Sequence, residues 1–176
     1  MVPAMSRQRC VAKRRCRSLV SAVGGGALLY LVLSAGCSRE TGGGPTAPSP
    51  TPASLEQQTY ARINDYRASK GLGPLSWNEA IAGQARRHSE AMAEGSTPFG
   101  HSGFDDRLAI IRELIPWKSA AENVAVDRSA GGAVEGWLSS PGHRANIEGN
   151  YQLTGVGAAA ARNGSIYFTQ VFIEPR

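Results

Sequence analysis

Three histidines and one glutamate in an apolar setting are the residues through which this chain could do chemistry. His101 lies in the glycine-bracketed run Phe99-Gly-His-Ser-Gly-Phe104, where a side chain is presented and not packed. Glu122 follows Ala120-Ala121 and precedes Asn123-Val-Ala-Val126, so its carboxylate is expected to be partly buried and to need a partner. His143 follows Ser139-Ser-Pro-Gly142, a turn that aims it from the start of a short helix. Two imidazoles and a carboxylate could hold a divalent cation such as zinc, with His101 and His143 as ligands and Glu122 available as a third. The same groups could form a general acid–base pair. Against both stands the pattern: 101, 122 and 143 make no local zinc signature, and no G-x-S-x-G elbow offers a nucleophile. The bland alternatives are a loop-bracing His101 and a Glu122 that pins backbone N–H groups. His88 shares a helical stretch with Ile81, Ala85 and Met92 and is expected to be a satisfied core histidine. Arg144 could be a surface residue or could pair with Glu122 or Glu148, Asn146 could cap or brace locally, and Trp77 and Trp137 read as core or cleft-wall aromatics.

Elements far apart in the chain must bring these residues together. Ser54-Leu-Glu-Gln57 reads as a capping box, and Leu55, Tyr60, Ile63 and Tyr66 or Arg67 recur at helical spacing until Gly71. Asn78 opens a second helix that ends at Gly95, and a third runs from Phe104 to Leu114 before Pro116. A fourth covers Ala130 to Leu138, with a short helical turn after Pro141. The period then switches. Residues 153–161 and 165–173 are joined across Arg162-Asn163-Gly164, a strong hairpin signal, and Glu122–Val126 supplies another strand. The small residues of 155–161 predict a strand that a helix approaches closely. Helices first and a hairpin last give an α+β domain with helices packed on an antiparallel sheet.

The charge distribution decides what the domain does not do. Of the 19 Lys and Arg, those at 7, 9, 13, 14, 15 and 17 precede residue 20, and no acid does. From residue 37 onward 13 basic residues face 14 acidic ones, so the globular part has no footprint for phosphate backbones. Nucleic acid is not an expected partner. The basic head leads into an uncharged run, Leu19–Leu33, short for a span but suited to a signal-peptide core. Ser34-Ala-Gly-Cys37 then resembles the lipobox of bacterial lipoproteins, with Ser34 where Leu is usual. We therefore expect a lipoprotein signal peptide over 1–36, lipidation of Cys37, a Pro/Gly/Ser/Thr-rich linker to residue 53 and a domain over 54–176. Cys10 and Cys16 leave with the signal, so no disulfide can staple the mature fold. The linker could hold the domain up to about 50 Å from the bilayer at roughly 3 Å per residue. The expected location is the cell envelope, and the outer membrane if the cell has two.

Seven stretches in register resemble the CAP superfamily of cysteine-rich secretory, venom-antigen and pathogenesis-related proteins, in its bacterial SCP-like branch. They are Asn64-x-x-Arg67 with Gly71-Leu72-x-Pro74-Leu75-x-Trp77-Asn78; Ala85-x-x-His88-Ser89 with Met92; Gly100-His101-Ser102; Ala121-Glu122-Asn123; Trp137-x-x-Ser140-Pro141-Gly142-His143-Arg144-x-Asn146-Ile147; Gly155-Val156-Gly157; and Thr169-Gln170-x-Phe172. The resemblance implies a three-layer α-β-α sandwich with a central antiparallel sheet. It also implies a cleft in which eukaryotic relatives hold two His and two Glu, often with a divalent cation. His101 and Glu122 match the first of each; Ser140 and Tyr167 stand where the second Glu and second His would fall. His143 is the histidine of the bacterial pattern. The functional expectation is a membrane-anchored, monomeric binding module whose cleft takes a small ligand, lipid or envelope component. The alternatives are a metal-assisted envelope hydrolase and a structural or adhesive envelope protein.

Overall fold

The computed structural model describes residues 49–176; the expected signal peptide over 1–36, Cys37 and the linker up to residue 48 lie outside the described residues. No described helix is long and apolar enough to cross a membrane. Helix α1 (Pro52–Ser69) starts two residues before the predicted capping box. Thr51 caps it instead, accepting from Ser54 N at 3.2 Å, with Pro52 in the first turn where its missing N–H costs nothing. The two-residue strand β1 (Ser76–Trp77) leads to α2 (Glu79–Glu94), capped by the Asn78 side chain and closed by Gly95 at φ 78°, as the sequence predicts. Then come α3 (Phe104–Leu114), β2 (Trp117–Asp127), α4 (Ala130–Ser139), α5 (Pro141–Glu148), β3 (Leu153–Ala160) and β4 (Ile166–Pro175).

The sheet order is β1-β3-β4-β2. The three long strands are antiparallel, as expected, and β1 adds a short parallel pairing at the β3 edge. Strand β2 is twice the length read from the sequence, because Trp117–Ala121 shows no alternation of apolar and polar residues. The hairpin turns on Arg162-Asn163-Gly164, with Ala161 N donating to Ser165 O at 2.8 Å and Gly164 at φ 81° taking the left-handed position of a three-residue loop.

Alternation along the strands builds two cores. Phe168 and Phe172 face α1, α4 and α5, with Leu55, Ile63, Trp137 and Ile147. Val171 and Ile173 face α2 and α3, with Ile81, Ala85, Leu108 and Ile111. This is the α-β-α sandwich. Fully burying each large apolar side chain contributes about 1.5–3 kcal/mol. The small residues of β3 do what their size predicts: a Cβ at Gly155 or Gly157 would fall on the backbone of Ala82 or of Ala85–Arg86 in α2. The close fit is fixed by Ser89, whose hydroxyl lies 3.0 Å from Gly157 O and 2.9 Å from the Thr169 hydroxyl.

Candidate functional site

Strand β2 is an edge strand, and the candidate site is built astride it. Successive side chains point to opposite faces, so neighbours Glu122 and Asn123 serve different layers. Glu122 faces the α2–α3 layer and is 5% exposed. Its carboxylate accepts from Arg107 Nε at 3.1 Å and from Arg107 Nη2 at 2.8 and 2.7 Å, a two-pronged pairing with a buried guanidinium. Oε1 also meets His101 Nδ1 at 3.0 Å. An ionised carboxylate only accepts, so Nδ1 carries a proton, and in the neutral ring Nε2 is then left as an acceptor. The His101 side chain stays 51% exposed. The loop that carries it is pinned from below: His88 Nε2 meets Gly100 O at 2.8 Å. Burial holds His88 below the ordinary histidine pKa, and that hydrogen bond pulls it partly back. His88 is thus the satisfied core histidine that the sequence predicts.

Asn123 is fully buried and faces the α4–α5 layer. Its Nδ2 donates to His143 O at 3.0 Å, and its Oδ1 accepts from Asn146 Nδ2 at 2.9 Å. Asn146 also donates to Glu122 O at 3.3 Å, and Trp137 Nε1 to Val124 O at 2.9 Å. The outward carbonyls of an edge strand are thereby closed by side chains of α4 and α5. Asn123 and Asn146 fix the start of α5, whose Ser140 makes no side-chain cap. His143 is half-buried. Burial first, and the charge of His101 second, hold its pKa below the ordinary histidine value.

Two readings of the sequence change here. The partner of Glu122 is Arg107; of the readings of Arg144 the surface one holds, since it is exposed and donates to Leu138 O at 3.3 Å, while Glu148 bonds Tyr66. Asn146 braces a strand 23 residues away and not its own helix. Arg107 was legible in principle: it stands four residues before buried Ile111, on the inward face of α3, where a charged residue implies a buried partner. Trp137 is core; Trp77 is half-buried against Tyr60 at the opposite sheet edge. Gln170 lies on the other face from Glu122, where its Nε2 donates to Thr154 at 3.1 Å.

The residues present do not fit a resident divalent cation. Both oxygens of Glu122 are engaged by Arg107, so an ion there would displace a buried guanidinium or lie against its charge. Among the described residues no three His, Cys, Asp or Glu side chains could share an ion. His101 Nε2 and the His143 ring remain, which is half of a closed tetrahedral set.

Comparison with known proteins agrees with this architecture. The profile of the cysteine-rich secretory protein family, CAP, matches residues 60–172. The Bacillus subtilis protein named "Uncharacterized membrane protein YlbC" is 36% identical over 126 residues, covering 68% of this chain and 34% of that protein. The Bacillus subtilis protein YkwD is 32% identical over 132 residues, covering 73% and 50%. The chain therefore spans half or less of the length of these curated relatives. Among solved structures, an extracellular protein with an SCP domain from Bacillus anthracis has a TM-score of 0.59 at 29% identity, covering 73% of this chain and 45% of its own. With the family profile spanning the sheet, the site and most of the helices, this chain belongs to the cysteine-rich secretory protein (CAP) family.

Proposed function

We propose that the chain is an exported, lipid-anchored CAP-domain binding module of the cell envelope, and that His101 and His143 receive a polar group of its ligand. The observation that carries this reading is the use of Glu122. A buried carboxylate already neutralised by Arg107 also fixes the tautomer of a half-exposed imidazole. With Nδ1 occupied, the neutral ring of His101 offers Nε2 as an acceptor, and burial favours the neutral form of His143. The preferred ligand group is therefore an uncharged donor, such as a hydroxyl or amide N–H of a lipid headgroup or envelope polymer. The B. anthracis relative is described as extracellular and YlbC as a membrane protein, which supports export. The sequence from the basic head to Cys37 supports the anchor.

Binding of soluble envelope polymers to wild type, His101→Ala and His143→Ala tests the site. Loss of binding in variants that keep the wild-type melting temperature supports it; retained binding in both overturns it. Cys37→Ser should move the protein out of the membrane fraction, and unchanged partitioning overturns the anchor. A carboxylate that orients an imidazole also suits a general base, which favours a hydrolase as the second reading. Turnover of the bound polymer, lost in His101→Ala, would establish it.

A further inference from the structure

A second polar crevice shares Arg107 with the site above but opens elsewhere. It lies between α2 and the loop into α3, has a volume of ≈ 290 Å³, and is lined by Gln84, Arg87, His88, Thr97, Ser102 and Arg107. Positions 84, 87 and 88 fall on one stripe of α2, at i, i+3 and i+4. Gln84 and His88 are 5% and 4% exposed, and buried polar side chains need partners. His88 has one, the Gly100 carbonyl. The Gln84 amide lines the crevice and is not sealed from it, since the one fully buried side-chain polar atom without a partner among the described residues is Gln170 Oε1. Arg87 takes part in no ion pair among the described residues. Its Nη1 stands 3.9 Å from where a Cβ on Gly83 would be, so the guanidinium folds back along α2 over Gly83. Arg107 Nη1 spends one N–H on Ser102 O at 2.8 Å and keeps a second. No carboxylate lines the crevice.

Two guanidinium groups, an amide and two hydroxyls therefore surround a small volume, with donors arriving from two helices and a loop. A planar carboxylate would use a single edge. A tetrahedral oxyanion presents acceptors in all of these directions. We propose that this crevice binds a phosphoryl group, with Arg87 as its principal cation and Gln84 as the amide that orients it. The group could arrive as inorganic phosphate or as a phosphate monoester.

The experiment is a titration of the full mature chain with inorganic phosphate and, separately, with glycerol phosphate, at constant ionic strength. It is followed by NMR of the histidine rings and arginine side chains. The charges that act on His88 from other elements are Arg107, Glu122 and His101, and Arg87 lies beside it on α2. A bound anion opposes the two arginines, so the His88 titration midpoint should rise as the site fills. We expect saturation near about 1 mM for at least one of the two anions, and at least about tenfold weaker binding in Arg87→Gln. Arg87 is exposed, so that variant should keep the wild-type melting temperature. His143→Ala should leave the response intact. Tighter binding of the monoester assigns the site to a phosphorylated ligand, and equal or tighter binding of inorganic phosphate assigns it to the free anion. A response that does not saturate, that Arg87→Gln leaves unchanged, or that does not move His88 overturns the proposal.

Discussion

Arg67 and Arg107 are both nearly inaccessible, at 3% and 8% exposure, yet their surroundings have little in common. Arg67, on α1, meets only backbone: it donates to Gly73 O at 2.8 Å, Ile147 O at 2.6 Å and Gly149 O at 3.0 Å. Burial without a carboxylate lowers its pKa from the usual guanidinium value. It clamps the end of α5 and the approach to β3 onto α1, and every partner it has is a backbone carbonyl. Arg107 instead holds Glu122, and Glu122 holds an imidazole that is half in water. The difference separates scaffold from site. A closed set of partners stabilises, whereas a set that ends in an exposed, oriented side chain has something left to offer a ligand.

The sharpest way to break the comparison is to strip each cation of its partners. Glu122→Ala strands Arg107 in the interior and should cost about 4 kcal/mol in chemical denaturation, whereas Glu122→Gln with Arg107→Met should recover most of it. If Glu122→Ala costs no more than a surface change, the pair does not hold α3 to β2. Arg67→Met leaves four carbonyls without this donor and should cost about 3 kcal/mol, read from the same urea midpoints. That loss should be the same at pH 7.5 and 5.5, because nothing around Arg67 titrates in the window.

The site half should respond to pH. His88 and His143 have folded pKa values below the ordinary 6.5. As pH falls from that value, the unfolded chain takes up protons first, so stability drops. It is fully present above about 6.5 and is lost toward the lowered folded values. Urea midpoints should fall between pH 7.5 and 5.5, less so in His143→Ala; an unchanged slope would mean that His143 is not held by its surroundings. His101→Ala should have the smallest effect on stability, within about 0.5 kcal/mol, because the ring is half exposed. A larger loss would make His101 part of the scaffold.

Local signals were legible in the sequence where local physics decides. Asn78 and Gly95 bound α2 as read, and Asn163-Gly164 closes the hairpin, because caps and turns depend on a few adjacent residues. The small residues of β3 announced a close helix because no other packing suits them. Three things did not show. Strand β1 is two residues long and exists only because Leu153 and Thr154 lie beside it. The first half of β2 lacks alternation, so its pairing with β4 decides its state. The contact between Glu122 and Arg107 bridges 15 residues, and adjacency in sequence suggested Arg144 beside His143 instead. Residue types and the family resemblance marked His101, Glu122 and His143, but Asn123, which ties the start of α5 to β2, has a type common in turns and gave no such signal.

Strand β4 carries a consequence for timing. It comes after every other element in the chain, yet it lies between β3 and β2, with long pairings on both sides. A chain made from its N-terminus can form α1 and α2 early, but β2 and β3 have no common partner until residues 166–175 are available. Removing that segment would not fray an end; it would take out the middle of the sheet. Contacts that span tens of residues also slow folding. The domain therefore stays open through most of its synthesis, which is the state that a chain needs if it is to be threaded through a membrane channel before it folds.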